Sequence, residues 1–384
     1  MKTNFRLHWR RNLPILLFFA VVAFFLGLLF YNLQHNLKAQ NIASGLGFLK
    51  MQSGFEIGES VISYQSSNNY ARALLVGLLN TLKVALIGNL LAVPLGFLLG
   101  IFRLAQNPLL SKTSAAIINL LRNIPLLLQL FFWYALFTEI FPSVRQAYHP
   151  LPGMFLCNRG LFIPSISHTG LLIMVLAFVF LLMFFLVLKK SRSIFYSSRK
   201  YKLGLLITVF ILLLILVSFL LSHFHAVEYP VLQGFNFSAG KSISPEFASL
   251  LLGLVLYTSV FNAEIVRSGI LSVKKGQWEA GLSLGLSSSQ CLRWIVIPQS
   301  MRVIIPPLIA QMLNLAKNSS LAVAIGYPDF VSIANTSLNQ TGQAVELVAI
   351  IMLVYLSISL ITSWLMNMYN RKMAKGMVRL NPTN

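Results

Sequence analysis

Few residues in this sequence are placed to do chemistry, and their spacing disposes of most catalytic readings. Gly281-Leu282-Ser283-Leu284-Gly285 has the Gly-x-Ser-x-Gly spacing of a nucleophile elbow. That motif needs a strand–turn–helix context to thrust the serine out, whereas these residues lie in a basic segment of helical character with no histidine nearby. Gly240-Lys241-Ser242 ends like a phosphate-binding loop, but the preceding glycine, Gly234, is one residue too distant for the required spacing. His223 and His225 stand two apart with no further ligand cluster, short of a metal site. Cys157 and Cys291 cannot make a disulfide framework. No catalytic residue, metal site or resident cofactor is expected. The polar groups that remain sit inside apolar runs: Lys317, Asn318, Ser319 and Ser320 together, and Arg122, Asn123 and Gln129. A lysine or arginine at the bilayer centre costs about 2.5–3.5 kcal/mol on insertion scales, so it must face protein or water. These residues are candidates to line an aqueous path. For Lys317 the alternative is snorkelling to an interface or a structural ion pair.

The elements that carry these groups are membrane spans. The 384 residues are 57% apolar and only 10% charged, with 29 Phe. Soluble domains run about 45–50% apolar and about 25% charged, and a water-soluble fold could not hide the difference. A soluble enzyme, a disordered chain and a secreted disulfide scaffold are excluded. Apolar runs near 20 residues give eight candidate spans, at about 13–31, 76–101, 115–137, 170–188, 203–222, 247–266, 303–325 and 345–366. The run at 115–137 starts late if Pro125 opens it. The first run, preceded by a basic start and followed by no small-x-small site, reads as an uncleaved anchor. The net charge of +21 is distributed as loop charge rather than as a nucleic-acid-binding face. With eight spans, 21 basic residues fall on one side and six on the other, which sets both termini and the 267–302 loop in the cytoplasm. Cys157 then lies outside and Cys291 inside, so the two cannot pair.

The 267–302 loop reads as two short helices, the second opened by a Ser287/Gln290 capping box. Pro298 either ends the second helix or opens the next. Trp278, Leu282, Leu286, Leu292 and Ile295 are expected on one face, to lie on the membrane surface or to dock a soluble partner. Within it, Glu279-Ala280-(x)4-Gly285, nine residues, then Ile295-x-x-Pro298 resembles the cytoplasmic coupling loop of ABC importer permeases; the family usually has Ala where this chain has Gly281. Asn314-Leu-Ala-Lys317-Asn318-Ser319-Ser320-Leu321, Ile325-Gly-Tyr-Pro-Asp329, Gly77-Leu-Leu-Asn80-Thr81-Leu82 and Arg122-Asn123-Ile-Pro125 extend the resemblance to amino-acid permeases, closest to the Q-type permease of general L-amino-acid importers.

The resemblance implies an all-α polytopic fold of about eight transmembrane helices containing a five-helix MetI-like permease core. It divides the chain into 1–69 (N-terminus, first helix, periplasmic segment), 70–137 and 247–370 (the two parts of the core), 138–246 (periplasmic loops and two inserted helices) and 371–384 (cytoplasmic tail). It implies a subunit of the bacterial inner membrane that moves amino acids inward, with no ATPase site of its own. Its partners would be a second permease, identical or related, two ATPase subunits that use ATP, and a periplasmic amino-acid-binding protein. Glu279, Ala280, Gly281, Gly285, Ile295 and Pro298 would couple to the ATPase. The alternative from another class is an ion-coupled secondary transporter, which usually shows internal repeats or deep acids; Glu264 and Glu346 fall near span ends, and no convincing repeat is visible.

Overall fold

The computed structural model describes residues 3–39, 45–167 and 227–378 continuously, with scattered positions between 170 and 220. Its helices are α1 (Thr3–Ala39), α2 (Tyr70–Arg103), α3 (Pro108–Asn123), α4 (Leu126–Ala135), α5 (Pro245–Leu271), α6 (Lys275–Ser283), α7 (Ser288–Cys291), α8 (Ile297–Asn318), α9 (Phe330–Thr341) and α10 (Ala344–Val378). Among the described residues, four helices are long and apolar enough to cross a membrane, or five if the bent pair α3–α4 counts as one span. They coincide with the expected runs at 76–101, 115–137, 247–266, 303–325 and 345–366. The run at 13–31 falls within α1, whose described apolar stretch, Leu17–Leu29, is shorter than a span. The runs at 170–188 and 203–222 lie largely outside the described residues, as do His223 and His225.

The chain separates into two compact units, the first containing Met1–Ala85, Ile305–Val323 and Pro328–Asn384, the second Leu86–Ile304 and Ala324–Tyr327. In the first, Phe48, Tyr70, Ala73, Leu74, Phe330, Ile333, Ala334 and Leu347 form the core. The segment before α2 is folded onto this core. The Ser53 hydroxyl donates to the Asn68 carbonyl at 2.9 Å and exchanges a 2.6 Å hydrogen bond with Tyr64.

In the second unit α2 and α5 approach through small residues. A Cβ added at Gly96 would lie 2.4 Å from Asn262 Cβ, and one at Gly100 would lie 2.7 Å from the Ala263 carbonyl oxygen. Small side chains let membrane helices meet at backbone distance, where dispersion and hydrogen bonding replace the absent hydrophobic drive. Asn262 adds such a bond, donating from Nδ2 to the Ala92 carbonyl at 3.2 Å. Near the end of this contact, Glu264 lies between Arg103 and Arg267 and pairs with both.

Helices α3 and α4 meet at 101°. The residue before a proline is pushed out of the helical region, and Ile124, before Pro125, is extended at φ −98°, ψ 124°. The late start considered for the 115–137 run is therefore where the chain turns. Short strands accompany the helices in a region expected to be loop. β1 (Phe155–Cys157), β2 (Gly160–Ile163) and β7 (Lys241–Ile243) make a three-stranded antiparallel sheet. β3 (Ser165–Ile166) pairs with β4 (Val227–Glu228), and β5 (Val231–Gln233) with β6 (Asn236–Ser238). Lys241 thus lies on a strand, not at the helix start a phosphate loop needs. Cys157 is buried beside Val144 and Phe162, and burial raises its thiol pKa.

Candidate functional site

The segment after α5 folds into a hairpin of helices. A lysine-rich link leads into α6, which ends at Gly285 with φ +80°. The Gly285 N–H donates to the Leu282 carbonyl at 2.9 Å and the Leu286 N–H to the Gly281 carbonyl at 3.2 Å. That pair of bonds is a Schellman termination, which requires a left-handed residue that glycine supplies without strain. Ser283 is part of this helix end and donates its hydroxyl to the Glu279 carbonyl at 2.8 Å, so no elbow presents it. The chain reverses, Ser287 opens α7 with the expected capping box to Gln290, and a π-helical stretch, Leu292–Val296, runs into α8. Pro298, the second residue of α8, opens that helix.

The two arms touch at Gly281. It is buried, and an added Cβ would lie 2.7 Å from Cys291 Sγ and 2.8 Å from Ile295 Cδ1. Cys291 is itself fully buried and donates its thiol to the Trp278 carbonyl at 3.7 Å. Between Gln277 and Gln299 a 3.0 Å side-chain hydrogen bond closes the open end. Gly281, Ile295 and Gly285 therefore shape the hairpin, while Glu279 and Ala280 are exposed on it. The single apolar face expected from the sequence is divided: Trp278, Leu286, Leu292 and Ile295 are half-buried between the arms, whereas Leu282 points out, with Leu284 and Trp294 also exposed.

The other motif stretches pair with one another in the first unit. Gly77 brings α2 against the Asp329 carbonyl and Phe330 Cα, both 3.0 Å from where a Cβ would be. Asn80 donates from Nδ2 to the carbonyls of Glu59 and Pro328, at 2.8 and 2.9 Å. The Phe330 N–H donates to Thr81 Oγ1 at 3.0 Å. Lys83 pairs with Glu59. Asp329 caps α9 by accepting from the Ser332 N–H at 2.8 Å. Its carboxyl is buried, and burial pushes its pKa up to about 7.

The expected path residues divide between the units. Lys317, exposed, and Asn318, half-buried, end α8. Ser319, buried, donates its hydroxyl to the Ala316 carbonyl, and Ser320 to the Lys317 carbonyl, each at 2.8 Å. Lys317 and Ser320 line a cleft of about 500 Å³ with Val331, Ile351, Tyr355, Leu356 and Ser359. In the other unit, Asn123 is exposed and the Arg122 guanidinium lies 5.5 Å from the Phe261 ring centre. Gln129 is buried and donates from Nε2 to the carbonyls of Leu121 and Ile124, at 2.8 and 3.0 Å; it staples the bend at Pro125. Sequence reasoning missed Cys291 and Tyr355. Cys291 was visible only as a small buried-type residue ten positions after a glycine, and Tyr355 gave no signal within its apolar run.

Comparison with known proteins places these features in context. Residues 198–375 match the family described as binding-protein-dependent transport system inner membrane component. The general L-amino acid transport system permease protein AapQ of Rhizobium johnstonii is 45% identical over 90% of this chain and 87% of its own length. The putative amino-acid ABC transporter permease protein YhdX of Escherichia coli is 46% identical over 94% and 93%. The glutamate/glutamine/aspartate/asparagine transport system permease protein BztB of Rhodobacter capsulatus is 34% identical over 96% and 94%.

Proposed function

The chain belongs to the inner-membrane permeases of binding-protein-dependent amino-acid ABC transport systems, and from that premise we propose how its parts divide the work. It is the transmembrane permease of an ATP-driven importer that carries amino acids across the inner membrane, together with partner permease, ATPase and binding-protein components. The substrate is a broad range of L-amino acids, delivered on the periplasmic side. A second permease, a related chain, completes the path, and two ATPase subunits drive it. ATP is hydrolysed on those subunits. Both termini and the 275–296 hairpin face the cytoplasm, in keeping with the 21-to-six distribution of basic residues.

The observation that carries the coupling assignment is the hairpin itself. Its spaced motif residues divide into those that set its shape and those it presents. Gly281, Gly285 and Ile295 fix the fold, while Glu279 and Ala280 stand exposed beside Leu282 and Leu284. Exposed leucines on a rigid, water-facing element suit a partner's cleft. ATP-driven closure of the ATPases pushes the hairpin, and with it α5 and α8, to switch access.

The test is reconstitution. Proteoliposomes holding this chain with its partner permease and ATPase, and supplied with binding protein, are expected to accumulate labelled amino acids only with internal ATP. Accumulation by this chain alone under an ion gradient would establish the secondary-transporter alternative instead.

A further inference from the structure

Four described cations on the long helices of this chain are countered. Lys83 pairs with Glu59, Arg103 and Arg267 share Glu264, and Arg122 lies over the Phe261 ring. Lys317 has no carboxylate or ring partner among the described residues. It lines an open cleft instead, and the cleft is of a size, about 500 Å³, that falls within the range of about 300–1,000 Å³ usual for small-molecule sites.

The lining is uneven in a chemically specific way. Lys317 supplies one ammonium. Ser320 and Ser359 supply hydroxyls, Tyr355 lines the cleft while its hydroxyl is buried, and Val331, Ile351 and Leu356 supply an aliphatic wall. The Ser320 hydroxyl already donates to the Lys317 carbonyl at 2.8 Å, so its oxygen offers lone pairs and accepts. The Tyr355 hydroxyl is buried and turned inward to Thr81, Ser319 and Asp329. The lining therefore offers an ammonium to an anion, serine oxygens to a hydrogen-bond donor, and an aliphatic surface with no charge to read a side chain.

Building on the proposed function, we propose that this cleft holds an amino acid in transit by its α-carboxylate, gripped by Lys317, with the α-ammonium turned to the Ser320 and Ser359 hydroxyls and the side chain laid on the aliphatic wall. A transporter that accepts many amino acids must grip what they share. A site that specified the side chain would need a paired polar group for it, since such groups reject any analogue that leaves them unpaired. The wall of Val331, Ile351 and Leu356 contains none. The ammonium also gains from the carboxylate, because a lone cation between membrane helices is costly until something neutralises it.

The experiment uses the complete complex in proteoliposomes, with saturating binding protein, and follows alanine, leucine, glutamine and aspartate separately. Lys317→Gln is expected to lower uptake of all four by a common factor of about tenfold or more, the loss of one charge-assisted contact, with the ATPase still bound. Lys317→Arg keeps the charge and is expected to restore most of it. Leu356→Trp narrows the wall and is expected to slow leucine more than alanine. Wild-type uptake of all four with Lys317→Gln would overturn the proposal. So would a loss confined to aspartate, which would make Lys317 a reader of side chains, or disassembly of both Lys317 variants, which would make it structural. Release of bound phospholipid from Lys317→Gln with unchanged uptake would assign the cleft to a lipid headgroup and overturn it equally. A wild-type complex that shows no ATP-driven uptake refutes the permease reading itself, and is distinguished by failing before any variant is compared.

Discussion

Replacing Gly281 with alanine puts a methyl group where the two arms of the hairpin meet. The new Cβ would stand 2.7 Å from Cys291 Sγ and 2.8 Å from Ile295 Cδ1, both well inside van der Waals contact. Overpacking of this kind costs about 1–3 kcal/mol. Alanine returns about 1 kcal/mol of helix propensity in α6, so the net loss is up to about 2 kcal/mol. The Ile295 side chain can rotate away, but Cys291 is short and fully buried, so its sulfur is the obstacle. With Cys291→Ala alongside, the nearest remaining atom of residue 291 is its Cβ at 3.6 Å, an ordinary contact, and the propensity gain is kept. Hydrogen exchange across 275–296 in the purified complex reads local opening directly. Exchange is expected to quicken by up to about thirtyfold in Gly281→Ala and to return to or below the wild-type rate in the double variant. The coupling energy of the cycle should reach about 1–2 kcal/mol. Strictly additive effects of the two substitutions would refute the contact as the reason for glycine at this position.

Three further outcomes follow. Glu279→Lys reverses an exposed charge on the hairpin and is expected to weaken ATPase co-purification or to uncouple hydrolysis from uptake, while amino-acid binding by the periplasmic protein is unchanged; wild-type co-purification and uptake together would remove Glu279 from the coupling role. Gln129→Leu leaves the half-buried Leu121 and Ile124 carbonyls without their donor, at up to about 1–3 kcal/mol, the cost of a buried unsatisfied group, and should lower the melting temperature, whereas an unchanged one would mean that Pro125 alone sets the bend. Asp329 has a folded-state pKa of about 7 against an ordinary 3.8, so the folded protein binds the extra proton; stability is full below about pH 4 and is lost as pH rises to about 7, each unit being worth about 1.4 kcal/mol. Asp329→Asn keeps the α9 cap and should flatten the fall in melting temperature between pH 5 and pH 8, and a steeper fall in the variant would refute this account.

Much of this was legible because the strongest forces on the chain act at short range in sequence. Apolar runs located the spans, and the Ser287/Gln290 box is complete within four residues. Pro125 announced a break because proline constrains its neighbour regardless of context. What escaped depends on contacts between distant segments. Gly281 departs from the family's usual alanine, and nothing near it in the sequence accounts for the change. The reason is Cys291 on the other arm. Gln129 reads as a polar residue in a span, a candidate for a water-lined path, and the structure gives its amide to two backbone carbonyls freed by the bend. The stretches Gly77–Thr81 and Pro328–Phe330 were separate points of resemblance; nothing in either predicts that Asn80 and Thr81 hydrogen-bond across to the other. The short strands were read as loop because runs of two to four residues carry no measurable alternation.

Those strands have an architectural consequence. Ile166 pairs with Val227, and Leu161 with Ile243, so the chain departs and returns through a hydrogen-bonded clasp whose two sides are about 5 Å apart. Whatever the chain does between residues 167 and 226, its entry and exit are closed by the ribbon. A gate of this kind makes the enclosed stretch a cassette. It can grow, shrink or be exchanged for a two-residue turn without asking the helices on either side to move.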